Sequence, residues 1–151
     1  MDLIKLHYRK DTLMTKTTFL EVYQKNIAPK LEKIDLFLKT EPEHLNIHTT
    51  ASLLYISEEE VNEIMKREKI SSINPATFFM IMYHGSSELC KLLKREWERK
   101  SPVEYSIEDI SYIYNLPPHK VYSAVDTLGI ENITSETIYE LFSCIHLDIL
   151  Q

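Results

Sequence analysis

Apolar residues recur along this chain at helical rather than strand spacing. Phe19, Val22, Tyr23 and Ile27 form one run after Thr17-Thr18. Pro29 interrupts it, and Leu31, Ile34, Leu36, Phe37 and Leu38 continue it. A second stripe, Leu89, Leu92, Leu93 and Trp97, is opened by Ser86-Ser87 and predicts a helix through about Lys100. The other apolar positions fall in short clusters divided by Ser, Asn, Thr and Pro, residue types that open helices. The pattern predicts an all-α fold. Residues 1–14 carry no readable pattern.

The pattern also repeats. Residues 45–82 align without a gap on residues 105–142, an offset of sixty. Ile47 falls on Ile107, Val61 on Val121, Ile70 on Ile130, Ile73 on Ile133 and Thr77 on Thr137. The apolar positions agree further: Leu53 with Ile113, Ile56 with Leu116, Ile64 with Ala124, Phe78 with Ile138, Ile81 with Leu141. Matching cores at a constant offset point to duplication of one unit.

Each copy reads as three short helices. The first covers about Thr49 to Tyr55, and about Ile107 to Tyr114. The second opens at Ser57, with Glu60 three residues on to complete a capping box, or at Pro117-Pro118. It ends near Lys69 or Gly129, and Gly129 suits a left-handed cap. The third opens at Asn74-Pro75, or at Thr134-Ser135-Glu136. The expected organisation is an N-terminal helical segment (1–44), a first unit (45–84), a connecting helix (85–104), and a second unit with a C-terminal helix (105–151).

The stretch from Ile47 to Lys66, IHTTASLLYISEEEVNEIMK, resembles the helix-turn-helix signature of bacterial regulators. A small residue lies early in the first helix, a turn follows four residues later, and a branched apolar residue comes six after that. Ala51, Tyr55 and Val61 occupy those places, as do Ser111, Asn115 and Val121 in the second copy. Ala51 allows close approach of the two helices, and Val61 locks the second on the first. The turn position usually takes Gly. Asn tolerates positive φ and Tyr does so poorly, so a different turn is expected in the first copy.

The resemblance implies that the second helix of each copy is a recognition helix, reading duplex DNA with its first turn and outward face. Those positions are Glu58, Glu59, Asn62, Glu63 and Lys66, or Pro118, His119, Tyr122, Ser123 and Asp126. Phosphate demands cations. The first copy offers Lys66, Arg67 and Lys69, which with Asn62 are its candidate DNA contacts. Between the copies, Lys91, Arg95 and Arg99 follow i, i+4, i+8 spacing with Lys94 beside them. This stripe is either a further DNA contact or a solvated face balanced by Glu88, Glu96 and Glu98.

Charge changes the picture for the second copy. The whole chain carries a formal charge of −6, and residues 105–151 hold seven acids against one base, Lys120. That third repels phosphate whatever its fold. It is also dense in tyrosine, and Tyr112 and Tyr122 fall on outward template positions. With His119 they are candidate contacts to a protein, because Tyr buries much area for little entropy loss; the alternative is ordinary helix packing. Two functions therefore stand: a transcription-type regulator binding duplex DNA through the first copy, or an acidic module docking a protein partner or a second copy of itself.

Other chemistry is sparse. With two glycines there is no phosphate-cradling loop, and no HExxH, nucleophile elbow or cysteine cluster occurs. The chain reads as non-catalytic, with no cofactor implied. His44 and His48 have a metal-compatible spacing but straddle a helix start, so no metal is expected. Cys90 and Cys144 read as two buried cytosolic thiols. No apolar stretch approaches the roughly 20 residues that span a bilayer. These features read as a cytoplasmic protein of a bacterium or phage.

Overall fold

The computed structural model describes residues 14–99 and 103–150. In chain order the elements are β1 (Met14–Thr18), α1 (Phe19–Val22), a π-helical turn (Tyr23–Ile27), α2 (Ala28–Thr40), a 3₁₀ turn (Pro42–His44), α3 (Ile47–Leu54), α4 (Glu58–Arg67), α5 (Pro75–His84), α6 (Glu88–Glu98), α7 (Ile107–Tyr114), α8 (Pro118–Leu128), α9 (Ile138–Ser143) and β2 (His146–Leu150). Among the described residues the fold is all-α apart from two short strands.

The chain forms two compact units, Asn26–Pro102 and a second that joins residues up to Lys25 with those from Val103 onward. The division falls inside the π-helical turn. It differs from a linear succession of four segments: the N-terminal stretch is shared between the units, and α6 belongs wholly to the contiguous one.

In the contiguous unit, short helices start where side chains satisfy their free N–H groups. Asn46 Oδ1 accepts from Thr49 N at 2.9 Å while Thr49 Oγ1 accepts from Asn46 N at 3.0 Å. Asn74 and Thr77 repeat this reciprocal box at 3.0 and 2.7 Å. Ser57 and Ser87 cap α4 and α6. The helices bury one core, with Ile34 from α2, Leu54 from α3, Val61 and Ile64 from α4, Phe78 and Ile81 from α5, and Leu89 and Cys90 from α6. Burial also pushes the Cys90 thiol above its usual range, keeping it protonated. The burial expected of both thiols holds for Cys90 and not for Cys144, which is half-buried.

In the discontinuous unit, β1 pairs antiparallel with β2, from Met14 opposite Leu150 to Thr18 opposite His146. The end of the chain, expected to close a helical unit, is thus a strand. Its alternation of Leu147 and Ile149 and the threonines of β1 suit that geometry. Phe19 carries the pairing into the core. Its ring meets Phe142 edge-on at 4.7 Å, and Tyr114 meets Phe142 edge-on at 5.0 Å.

Several positions sixty apart share local features. Val61 and Val121 are both fully buried, as are Ile81 and Leu141. Ile56 N donates to Ala51 O at 3.1 Å, and Leu116 N to Ser111 O at 3.0 Å. Tyr55 has φ 59° and Asn115 φ 56°, so both copies make the same left-handed turn. The expectation of a different turn at Tyr55 is corrected: buried Leu54 before it and half-buried Ile56 after it hold the backbone there, and the Lys30 ammonium lies 4.5 Å above the exposed ring. The second helices also end alike, with Lys69 at φ 58° and Gly129 at φ 65°.

Three other local expectations are revised. Glu60 does not complete a capping box with Ser57; its carboxylate reaches Ser86 instead. The third helix of the second copy begins at Ile138 rather than Thr134, because Ser135–Thr137 form a turn beside an isolated bridge between Tyr105 and Ile133. Helix α6 ends at Glu98 with Arg99 as its cap, and Lys100 lies outside the described residues.

Candidate interaction surfaces

Helix α4 presents the first copy's candidate residues. Its amphipathic sequence sets Val61 and Ile64 inward and leaves Glu58, Glu59, Asn62, Glu63, Lys66 and Arg67 exposed, with Lys69 exposed just past its end. The charges separate along the axis. Three glutamates occupy the first turn and Lys66 and Arg67 the last, the order the helix dipole favours. Arg67 Nε lies 3.4 Å from Glu68, and Glu58 meets His48 Nδ1 at 2.8 Å. The end that a DNA reader would put into a groove is therefore acidic, and its cations crowd the opposite end.

Helix α8 presents the second copy's set. Val121 and Ala124 face inward, while Pro118, His119, Tyr122, Ser123 and Asp126 are exposed. Tyr122 is 62% exposed, and Tyr112 on α7 is 40% exposed. Lys120, the one base of residues 105–151, turns away from this face and donates from Nζ to the His146 carbonyl at 2.7 Å.

The stripe on α6 is less uniform than its spacing implies. Lys91 is exposed and lies 3.6 Å from Glu88, whereas Arg95 and Arg99 are half-buried. Lys94 places its ammonium 4.8 Å above the ring of Tyr83. The histidines His44 and His48 do not converge: His44 faces Glu41 at 3.4 Å, and His48 faces Glu58. Among the described residues no group of three or more His, Cys, Asp or Glu could hold a metal ion, and no helix is long and apolar enough to cross a membrane.

One surface was not singled out from the sequence. The outward side of α5 and Trp97 of α6 form an open apolar groove of about 480 Å³. Its signal was available in the sequence PATFFMIMYH, which carries apolar residues on every side of the helix.

Comparison of the chain with protein-family models, with curated proteins and with solved structures finds no match.

Proposed function

We propose that this chain is a non-catalytic regulatory protein whose two helix-turn-helix-type scaffolds bind another protein, chiefly through α8. The outward face of α8 carries the reading: an exposed Tyr122 beside His119, Ser123 and Asp126, with Lys120 withdrawn to the His146 carbonyl. An exposed tyrosine supplies area and a hydrogen-bonding tip at small entropic cost. The surrounding acids steer a basic partner inward and oppose phosphate within the screening length of roughly 8–10 Å.

The test pairs wild type with a Tyr112→Ala, Tyr122→Ala double variant, both as baits for affinity capture and in sedimentation. The expected result is loss of the captured partner or of self-association, with the melting temperature lowered by no more than about 3 °C. Strong destabilisation, or equal capture by both baits, overturns the reading.

A second reading, DNA binding through α4, rests on the three exposed cations Lys66, Arg67 and Lys69 at one helix end. It predicts duplex binding that falls steeply with salt, is abolished by Lys66→Glu with Arg67→Glu, and is less affected by Lys120→Glu. Two scaffolds in one chain or a dimer would then meet successive major grooves about 34 Å apart. Fluorescence anisotropy with genomic duplex fragments at two salt concentrations decides it. No binding at low salt and high micromolar protein removes it.

A further inference from the structure

We infer that Lys120 is a latch by which the strand pair of β1 and β2 governs the outward face of α8. While the strands are paired, the Lys120 ammonium is held at the start of β2. When they part, it is released at the edge of the α8 face. The consequence for a partner rests on the reading of α8 as a binding surface, whereas the latch itself is tested without one.

The tie has a counterpart sixty positions earlier. Glu60 accepts from the Ser86 N–H and hydroxyl, and Lys120 donates to the His146 carbonyl at 2.7 Å. Each bond spans 26 residues. Each runs from the first turn of one helix to the stretch just past the next helix, α5 or α9. The chemistry is reversed, a carboxylate accepting in one unit and an ammonium donating in the other. Two opposite side chains thus make the same link, so the helix arrangement calls for a tie at that place.

The units differ in what lies beyond the tie. Ser86 leads into α6, which is anchored by buried Leu89 and Cys90. His146 instead opens β2, which has only the five residue pairs with β1 to hold it. A strand pair of that size is marginal without outside support. Support comes at two successive carbonyls: Phe19 N–H donates to Ile145 O at 2.8 Å, and Lys120 takes the next one. Ile145 is fully buried, whereas His146 is exposed. The segment able to open therefore starts at the residue that Lys120 holds. Because the bond joins two elements, each biases the other.

Charge gives the latch its consequence. Lys120 is the only base among residues 105–151. On α8 it borders the outward face, with Ser123 one turn on and His119 before it. Held on β2, its charge is spent on a backbone carbonyl. Released, it stands at the edge of the face and opposes a basic partner. Strand pairing therefore favours such a partner, and opening of the strands disfavours it.

Two measurements on the full chain test the latch from its two ends. In the first, lysines are acetylated with a small activated ester and read one by one by mass spectrometry, with exposed Lys66 as the internal reference. Thr15→Pro disrupts β1 away from His146 and is expected to raise the Lys120 rate about fivefold relative to Lys66, the share of one partly solvated hydrogen bond. In the second, hydrogen exchange is followed in Lys120→Met. Amides of residues 14–18 and 146–150 are expected to exchange about fivefold faster, with residues 107–143 unchanged and with wild-type exchange restored by Lys120→Arg. An unchanged Lys120 rate in Thr15→Pro, unchanged strand exchange in Lys120→Met, or acceleration that extends over residues 107–143 in Lys120→Met overturns the latch. If Thr15→Pro itself loses protection over residues 107–143, the exchange of Lys120→Met decides alone. Both readouts hold whether or not α8 captures a protein, so failure of the binding reading leaves them intact.

Discussion

Glu60, in the first turn of α4, accepts two hydrogen bonds from Ser86, 26 residues further along: one from the backbone N–H at 2.7 Å and one from the hydroxyl at 2.8 Å. The carboxylate thereby ties the start of α4 to the turn between α5 and α6. Charge-assisted bonds are stronger than neutral ones, but this pair is partly solvated. Glu60→Ala is expected to cost about 1–2 kcal/mol, and Ser86→Ala less because the backbone donor remains. Urea unfolding of both variants measures the difference. Equal losses would mean that the hydroxyl carries the whole contact.

Val61 and Val121 occupy the same place in the two triplets, each fully buried. Aspartate at either position puts an unpaired charge into an apolar contact, at a cost on the order of several kcal/mol. Val61→Asp is expected to abolish hydrogen-exchange protection across residues 26–99, and Val121→Asp to do so across residues 103–150. A Val61→Asp protein that melts like wild type would refute this account of the core.

Lys69 and Gly129 share a left-handed backbone, but only glycine adopts it without a Cβ penalty of about 1–2 kcal/mol. Exchanging the residues should therefore act in opposite directions. Lys69→Gly is expected to raise stability by up to about 1 kcal/mol, and Gly129→Lys to lower it by a similar amount, both read by thermal unfolding. Nothing lies within 4 Å of a Cβ built on Gly129, so backbone strain alone sets the sign there.

Thr50 is fully buried, and its hydroxyl has no hydrogen-bond partner among the described residues. The matching position in the second copy is Ile110, also fully buried. Thr50→Val keeps the shape and removes the unpaired hydroxyl, so a gain of about 1 kcal/mol is expected. A loss of stability in calorimetry would mean that the hydroxyl is satisfied in solution.

What could be read from the sequence was what local chemistry fixes. Ser57, Asn74 and Ser87 announce their helices because each cap bonds an N–H three residues on. Val61 and Ile64 are legible because helical spacing alone turns them inward. The left-handed Tyr55 was not, since surrounding packing overrides a weak residue preference. Nor was the partner of Glu60: a capping box and the bond to Ser86 call for the same side chain at the same position. The outward set Pro118, His119, Tyr122, Ser123 and Asp126 followed from the template, whereas the bond made by Lys120 depends on the carbonyl of His146, far along the chain. Strand β1 escaped the sequence analysis for a similar reason, because its partner lies beyond the entire contiguous unit.

That last pairing bears on how the molecule assembles as it leaves the ribosome. Met14–Thr18 emerges early and must wait, unpaired, through synthesis of the whole unit Asn26–Pro102 before His146–Leu150 appears. The contiguous unit can complete its core first, while the aromatic residues Phe19 and Tyr23 remain without Tyr114 and Phe142. A stalled or truncated nascent chain would thus carry one finished unit, a bare strand and, just after that strand, two uncovered aromatic rings.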